Sequence, residues 1–260
     1  MTQYWSKHLI TAVCLIAALA ASGCAAAEVP EVYHGRAGNF VLAVPSKIAS
    51  SVLYDGESDW TAPEKPKVQR TDHDAIRIIE FYVDLDHPDQ IITDQAARDR
   101  LLERSGSVHP GAMVGHVVGI TVDFPADGQP SAVDVRSQFS RSIFPAAVSR
   151  ALKPAPSEYQ LETRRADWSK PIKGRKRYGT GIFDVDVDYL STTENTWLYC
   201  NDARQVVEPF APMPTCKFVV VAPGLGARVS GSIDRSDVPR WRDLRTAVLR
   251  TLRSFEVPGR

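Results

Sequence analysis

The chain has 260 residues, 31 basic against 31 acidic, so it carries no net charge at neutral pH. That balance excludes a global field for nucleic acid or for an anionic bilayer. Hydrophobic residues make up 43% of the chain, yet no second long apolar run follows the amino terminus, which points to a soluble body held at a membrane by that end alone.

At the amino terminus Lys7 precedes a run from Leu9 to Ala21 rich in Ala, Leu, Ile and Val, too short an apolar stretch to span a bilayer comfortably. Residues 1–23 read as a signal peptide. Its end, Leu19-Ala20-Ala21-Ser22-Gly23-Cys24, resembles a bacterial lipobox, which makes Cys24 the lipidated first residue of the mature chain. Ala21 stands where lipoboxes prefer Leu or another branched residue, so plain cleavage and secretion is the alternative. The expected location is the periplasmic side of the envelope, with lipid anchoring in the outer membrane, because Ala25 is not the aspartate that commonly retains lipoproteins in the inner membrane.

This processing decides the cysteine count. Cys14 leaves with the signal peptide and Cys24 is consumed by lipid, so Cys200 and Cys216 remain as a pair in an oxidising compartment. Each sits in a short β-branched and aromatic run, and residues 201–215 between them hold Asn201-Asp202 and three prolines, a loop composition. A Cys200–Cys216 disulfide is predicted, and no CxxC argues for a metal or redox centre.

Along the mature chain, residues 24–38 read as a tether and the fold is expected to begin near Asn39. Phe40–Pro45 reads as a first strand with Ser51–Gly56 as its short partner, and residues 57–72 have no period. Ala75–Asp84 is the strongest strand of this half. Thr93 or Asp94 caps a helix carrying Ala96, Ala97, Leu101 and Leu102; Val114–Phe124 returns as a strand, with Ser131–Arg136 alternating as its hairpin partner, and Ala146–Leu152 reads as one or two helical turns. Pro154-Ala155-Pro156 is the candidate boundary between two lobes of similar size, 39–153 and 157–260.

The second lobe opens on a basic cluster, Arg164, Arg165, Lys170, Lys173, Arg175, Lys176 and Arg177, with Trp168 inside it. Its plain meaning is a solvated loop; its functional meaning is a docking patch for an acidic partner or for phospholipid head groups. Asp184, Asp186 and Asp188 follow on one face of a strand. Later strands carry the two cysteines, Pro223-Gly224-Leu225-Gly226 turns the chain, and Ala227–Ile233 alternates as a hairpin partner. Ser236 or Asp237 then caps a helix with Pro239 in its first turn. Trp241, Leu244, Val248, Leu252 and Phe255 fall on one stripe of it, with Arg240, Arg242, Arg250 and Arg253 off that stripe. The fold class is therefore α+β, mostly antiparallel sheet with a long carboxy-terminal amphipathic helix packed on it.

The chain carries few signatures of chemistry. Asp184-Val185-Asp186-Val187-Asp188 imitates the opening of an EF-hand loop, but Tyr189 and Asn195 replace the glycine and glutamate that such a loop requires, so a polar strand face is the better reading. Asp72-His73-Asp74 and Asp86-His87-Pro88-Asp89 flank opposite ends of one strand, too far apart for one metal site, and His109 and His116 are isolated. No hydrolase elbow, zinc helix, P-loop or dinucleotide fingerprint is present, and no cofactor or catalytic residue is assigned. A binding protein is the expectation.

One order of features adds to this. A tyrosine and cysteine end one strand at Tyr199-Cys200, a proline-rich loop follows, Cys216 opens a valine-rich strand, and Val238-Pro239-Arg240-Trp241 launches the final helix to Ser254-Phe255. This resembles the periplasmic immunity lipoproteins that neutralise lipase effectors of the type VI secretion system, as does the Gly38–Pro45 entry strand. The resemblance covers the signal peptide and about seventy carboxy-terminal residues. It implies a lipid-anchored protein that binds a secreted phospholipase and blocks it. Tight inhibitors centre their binding energy on a few aromatic or arginine anchors, and that chemistry makes Trp168, Arg175, Lys176 and Arg177 the candidate partner-binding residues. From another class, a structural or assembly lipoprotein of the envelope is the alternative.

Overall fold

In a computed structural model of the chain, residues 30–57, 70–104, 116–125, 131–142, 152–167, 185–201 and 215–258 are described. Strands β1 (Val32–Ala37) and β2 (Phe40–Pro45) form a hairpin whose two-residue turn has φ +58° at Gly38, a conformation that glycine adopts without penalty. The expected tether is thus shorter than 24–38, because residues 32–37 are a strand. Ser51–Gly56 does not partner β2 either. Strand β3 (Ala49–Tyr54) instead begins a meander with β4 (Ile76–Asp84) and, after helix α1 (Asp94–Arg104), β5 (Val117–Asp123).

Helix α2 (Ala132–Ser142) follows, where Ser131–Arg136 was expected as a strand. The reason is a cap. Ser131 Oγ accepts from the Asp134 N–H at 3.2 Å, and the Asp134 carboxylate accepts from the Ser131 N–H at 3.0 Å, a reciprocal arrangement that starts a helix. The chain then runs a second meander of β6 (Leu152–Glu158), β7 (Leu161–Ala166), β8 (Val185–Ser191), β9 (Thr196–Asn201), β10 (Thr215–Ala222) and β11 (Ala227–Asp234). It ends in a 3-10 turn, Arg235–Arg240, and helix α3 (Trp241–Arg253).

The two meanders are not separate lobes. Among the described residues they join along β5 and β11, with Val229 opposite Val122, into one nine-stranded antiparallel sheet ordered β3-β4-β5-β11-β10-β9-β8-β7-β6. Each meander alone would expose an unpaired edge; pairing satisfies both. The prolines read as a boundary lie inside β6, at the sheet's rim. There β6 has a neighbouring strand on one side only, and an edge strand is where a sheet tolerates proline.

Alternation assigns the two faces. Phe218 and Val220 of β10 point to one side with Ile79, Phe81, Ile120, Val122 and Val229, and α3 covers them with Trp241, Leu244, Val248 and Leu252, joined by Phe255 just past the helix end, all buried. Burying each such side chain stabilises by about 1.5–3 kcal/mol. The segment after α3 returns to β2, the Ala43 N–H donating to the Phe255 carbonyl at 2.8 Å. On the opposite face Val219 and Val221 meet Leu190, Trp197 and the α2 residues Ala132 and Val135, while Ala97 of α1 packs on Ile92 and Val117. Helices on both faces explain why β10 is apolar at every position from Phe218 to Ala222. Gly231 is required beside β5 and the Phe218 ring, since a Cβ there would stand 2.6 Å from the Gly119 carbonyl oxygen and 2.6 Å from that ring.

Cys200 and Cys216 are directly opposed on β9 and β10 and are joined as a disulfide, with Cα atoms 4.0 Å apart. Both are fully buried on the α3 side of the sheet.

Candidate functional site

Tyr159 and Gln160 form the two-residue turn between β6 and β7, closed by the pairing of Glu158 with Leu161. Both have positive φ, 53° and 62°. Asparagine–glycine pairs favour this turn, whereas side chains such as these meet steric resistance in it. The amino end of α3 holds the turn in place. Trp241 Nε1 donates to the Tyr159 carbonyl at 3.1 Å and Arg242 Nη1 donates to Gln160 Oε1 at 2.7 Å. The Arg242 guanidinium also lies 4.6 Å from the centre of the Trp241 ring. Tyr159 is 44% exposed, while Tyr189, with its ring 6.0 Å away, is buried.

Charged pairs surround this aromatic. Arg165 donates to Glu158 from Nε at 3.1 Å, and that hydrogen bond chiefly raises the arginine's pKa. Arg242 Nε donates to Glu194 Oε1 at 2.9 Å, and Arg245 Nε donates to the Glu194 carbonyl at 3.0 Å. Burial, with Glu158 adding to it, pushes the Tyr189 phenol up to about 12. The arginine-rich side of α3 is therefore largely a set of ties to other elements, continued by Arg250, which donates to the Pro88 carbonyl at 2.7 Å.

A cleft of about 320 Å³ opens near the other end of α3, with Phe40, Leu225 and Leu249 on its apolar side and Arg245, Arg253 and Glu256 among its polar residues. At the far end of β4, His116 Nδ1 lies 2.9 Å from Asp237 Oδ1, and Asp84 is bound by His87 at 2.9 Å and by Arg100. His116 is thus not isolated. Among the described residues no group of three or more His, Cys, Asp and Glu converges to hold a metal ion.

The polar face of the aspartate strand is covered by arginines. Asp188 is 1% exposed and accepts from Arg136 Nε at 3.0 Å and from Arg164 Nε at 3.0 Å. Asp186 accepts from Arg235 at 2.8 Å. Arg164 and Arg165, read as the start of a basic loop, are strand residues already engaged by carboxylates. Trp168, Arg175, Lys176, Arg177, Asp184, His109 and Cys24 lie outside the described residues. Sequence reading missed Tyr159, whose signal is faint: a tyrosine beside a glutamine where a tight hairpin favours asparagine and glycine.

The fold has a known counterpart. An immunity protein of the Stenotrophomonas maltophilia type IV secretion system superposes with a TM-score of 0.52 at 10% sequence identity, covering 87% of this chain and 94% of that one. At this identity the likeness is one of architecture. No protein-family description and no curated protein sequence matches the chain.

Proposed function

We propose that this chain is an immunity protein that binds a secreted effector protein and neutralises it by occupying it, without converting a substrate itself. The observation that carries the reading is the likeness in fold to a secretion-system immunity protein over 87% of the chain. The finer reading, a phospholipase effector of a type VI system, comes from the strand, loop and helix order of the last third and stands with the signal peptide and lipobox. In this reading Cys24 anchors the chain at the periplasmic side, in the outer membrane, and the body meets the toxin there. Trp168, Arg175, Lys176 and Arg177 remain candidates for its contact surface.

The test is co-expression. The product of the neighbouring gene, directed to the periplasm, is expected to arrest growth alone and to be harmless beside this chain, with a stoichiometric complex measurable by calorimetry. No toxicity relieved and no complex formed with any neighbouring product would sink the immunity reading and put a structural or assembly lipoprotein of the envelope ahead. Lipase activity in the partner, lost in the complex, would separate a phospholipase effector from other toxins.

A further inference from the structure

We propose that the Tyr159–Gln160 turn is the anchor of the effector interface, with the Tyr159 ring seated in a concave apolar slot of the partner protein; this rests on the immunity reading above. Three independent observations converge on the turn.

The first is strain. A hairpin that had only to reverse the chain would be served best by asparagine and glycine, yet two bulky side chains are held at φ 53° and 62°. Backbone strain that persists in a folded protein has to be over-determined by its surroundings, and such strain concentrates at binding and switching sites. Here the surroundings do hold it: Trp241 and Arg242 bond the turn from α3, and Thr163 Oγ1 accepts from the Glu158 N–H at 3.1 Å.

The second is exposure. Large apolar or aromatic side chains exposed among the described residues are Ile91, Val133 and Tyr159, and Tyr159 is the most exposed at 44%. Neither Ile91 nor Val133 sits on positive-φ backbone. The ring's backbone is fixed and a tyrosine has few torsions left to freeze, so ordering it on binding costs little.

The third is the surrounding chemistry. Binding hot spots are enriched in Tyr, Trp and Arg, and are ringed by contacts that exclude water. Tyr159 stands beside Trp241 and Arg242, with the Glu158–Arg165 and Arg242–Glu194 pairs around it. Those pairs present both signs of charge already satisfied within this chain, a suitable rim for a protein and a poor one for an anionic lipid surface.

The experiment uses the full chain and the neighbouring gene product that it neutralises. Tyr159→Asn removes the ring but suits positive φ, so its melting temperature is expected to be unchanged or higher while the dissociation constant rises about thirtyfold or more. Tyr159→Phe keeps the ring and is expected to bind within a few-fold of the original. An unchanged dissociation constant for Tyr159→Asn overturns the proposal and leaves immunity standing. So does a melting temperature lowered by many degrees, which would make Tyr159 a structural residue. If the unsubstituted chain neutralises and binds no neighbouring product, the immunity reading fails and the anchor falls with it.

Discussion

Arg136 and Asp188 face each other across the α2–sheet interface, Nε to Oδ2 at 3.0 Å and Nη2 to Oδ1 at 3.2 Å, with the two residues 8% and 1% exposed. Arg164 Nε also donates to Asp188 at 3.0 Å and Arg136 Nη1 to Glu162 at 3.2 Å, so the pair is the buried centre of a four-residue cluster of charges. A two-pronged arginine contact also fixes the angle at which α2 lies on β8.

Removing one partner of such a pair leaves a buried charge with part of its compensation gone. Arg136→Ala is expected to destabilise the chain by about 3 kcal/mol, the lower end of the usual range because Arg164 still holds Asp188. Urea unfolding measures it, and a midpoint that does not move would show the pair to be dispensable.

The disulfide acts through the unfolded chain. Cys200 and Cys216 are 16 apart in sequence, and closing a loop of that size stabilises by about 3 kcal/mol. Serine at both positions should lower stability by about that amount without changing the sheet, and mass measurement with and without reductant should show one bridge. Free thiols on protein recovered from the periplasm would contradict it.

Alkaline pH offers a separate check. Burial first, with Arg70 opposing and Glu57 adding for Tyr54 and with Glu158 adding for Tyr189, pushes Tyr54, Tyr189 and Tyr199 up from 10.0 to about 12. The folded state then holds these protons more tightly than the unfolded chain does. Their contribution to stability is whole below pH 10 and is lost as pH rises towards about 12, since there the unfolded chain binds fewer protons. Tyrosinate absorbance during an alkaline titration should therefore rise in two parts, the later coinciding with unfolding. A single rise near pH 10 would place these phenols in water.

Cys24→Ser tests the anchor proposed from the lipobox. The substituted chain should leave the membrane fraction for the soluble periplasm. Retention on washed membranes without a partner would mean that something other than lipid holds it.

Periodicity made much of the architecture legible. Alternating or continuous apolar runs marked β2, β4, β5, β10 and β11, because pleat and burial are written residue by residue. The stripe Trp241, Leu244, Val248, Leu252 marked the buried face of α3, with Phe255 buried just beyond the helix end, and compartment plus cysteine arithmetic marked the Cys200–Cys216 bridge. These are local properties, and the chain determines them by itself.

Pairing was decided elsewhere. Whether β5 finds β11 or a nearby hairpin partner depends on contacts between residues such as Val122 and Val229, more than a hundred positions apart, and local pattern carries no partner address. For the same reason Pro154 and Pro156 read as a boundary until the sheet placed them on its rim, and Asp188 read only as part of a polar strand face until α2 laid Arg136 over it. Tyr159 is the clearest example: only the fold brings Trp241 and Arg242 from more than eighty residues away to hold that turn in a backbone conformation its own side chains resist.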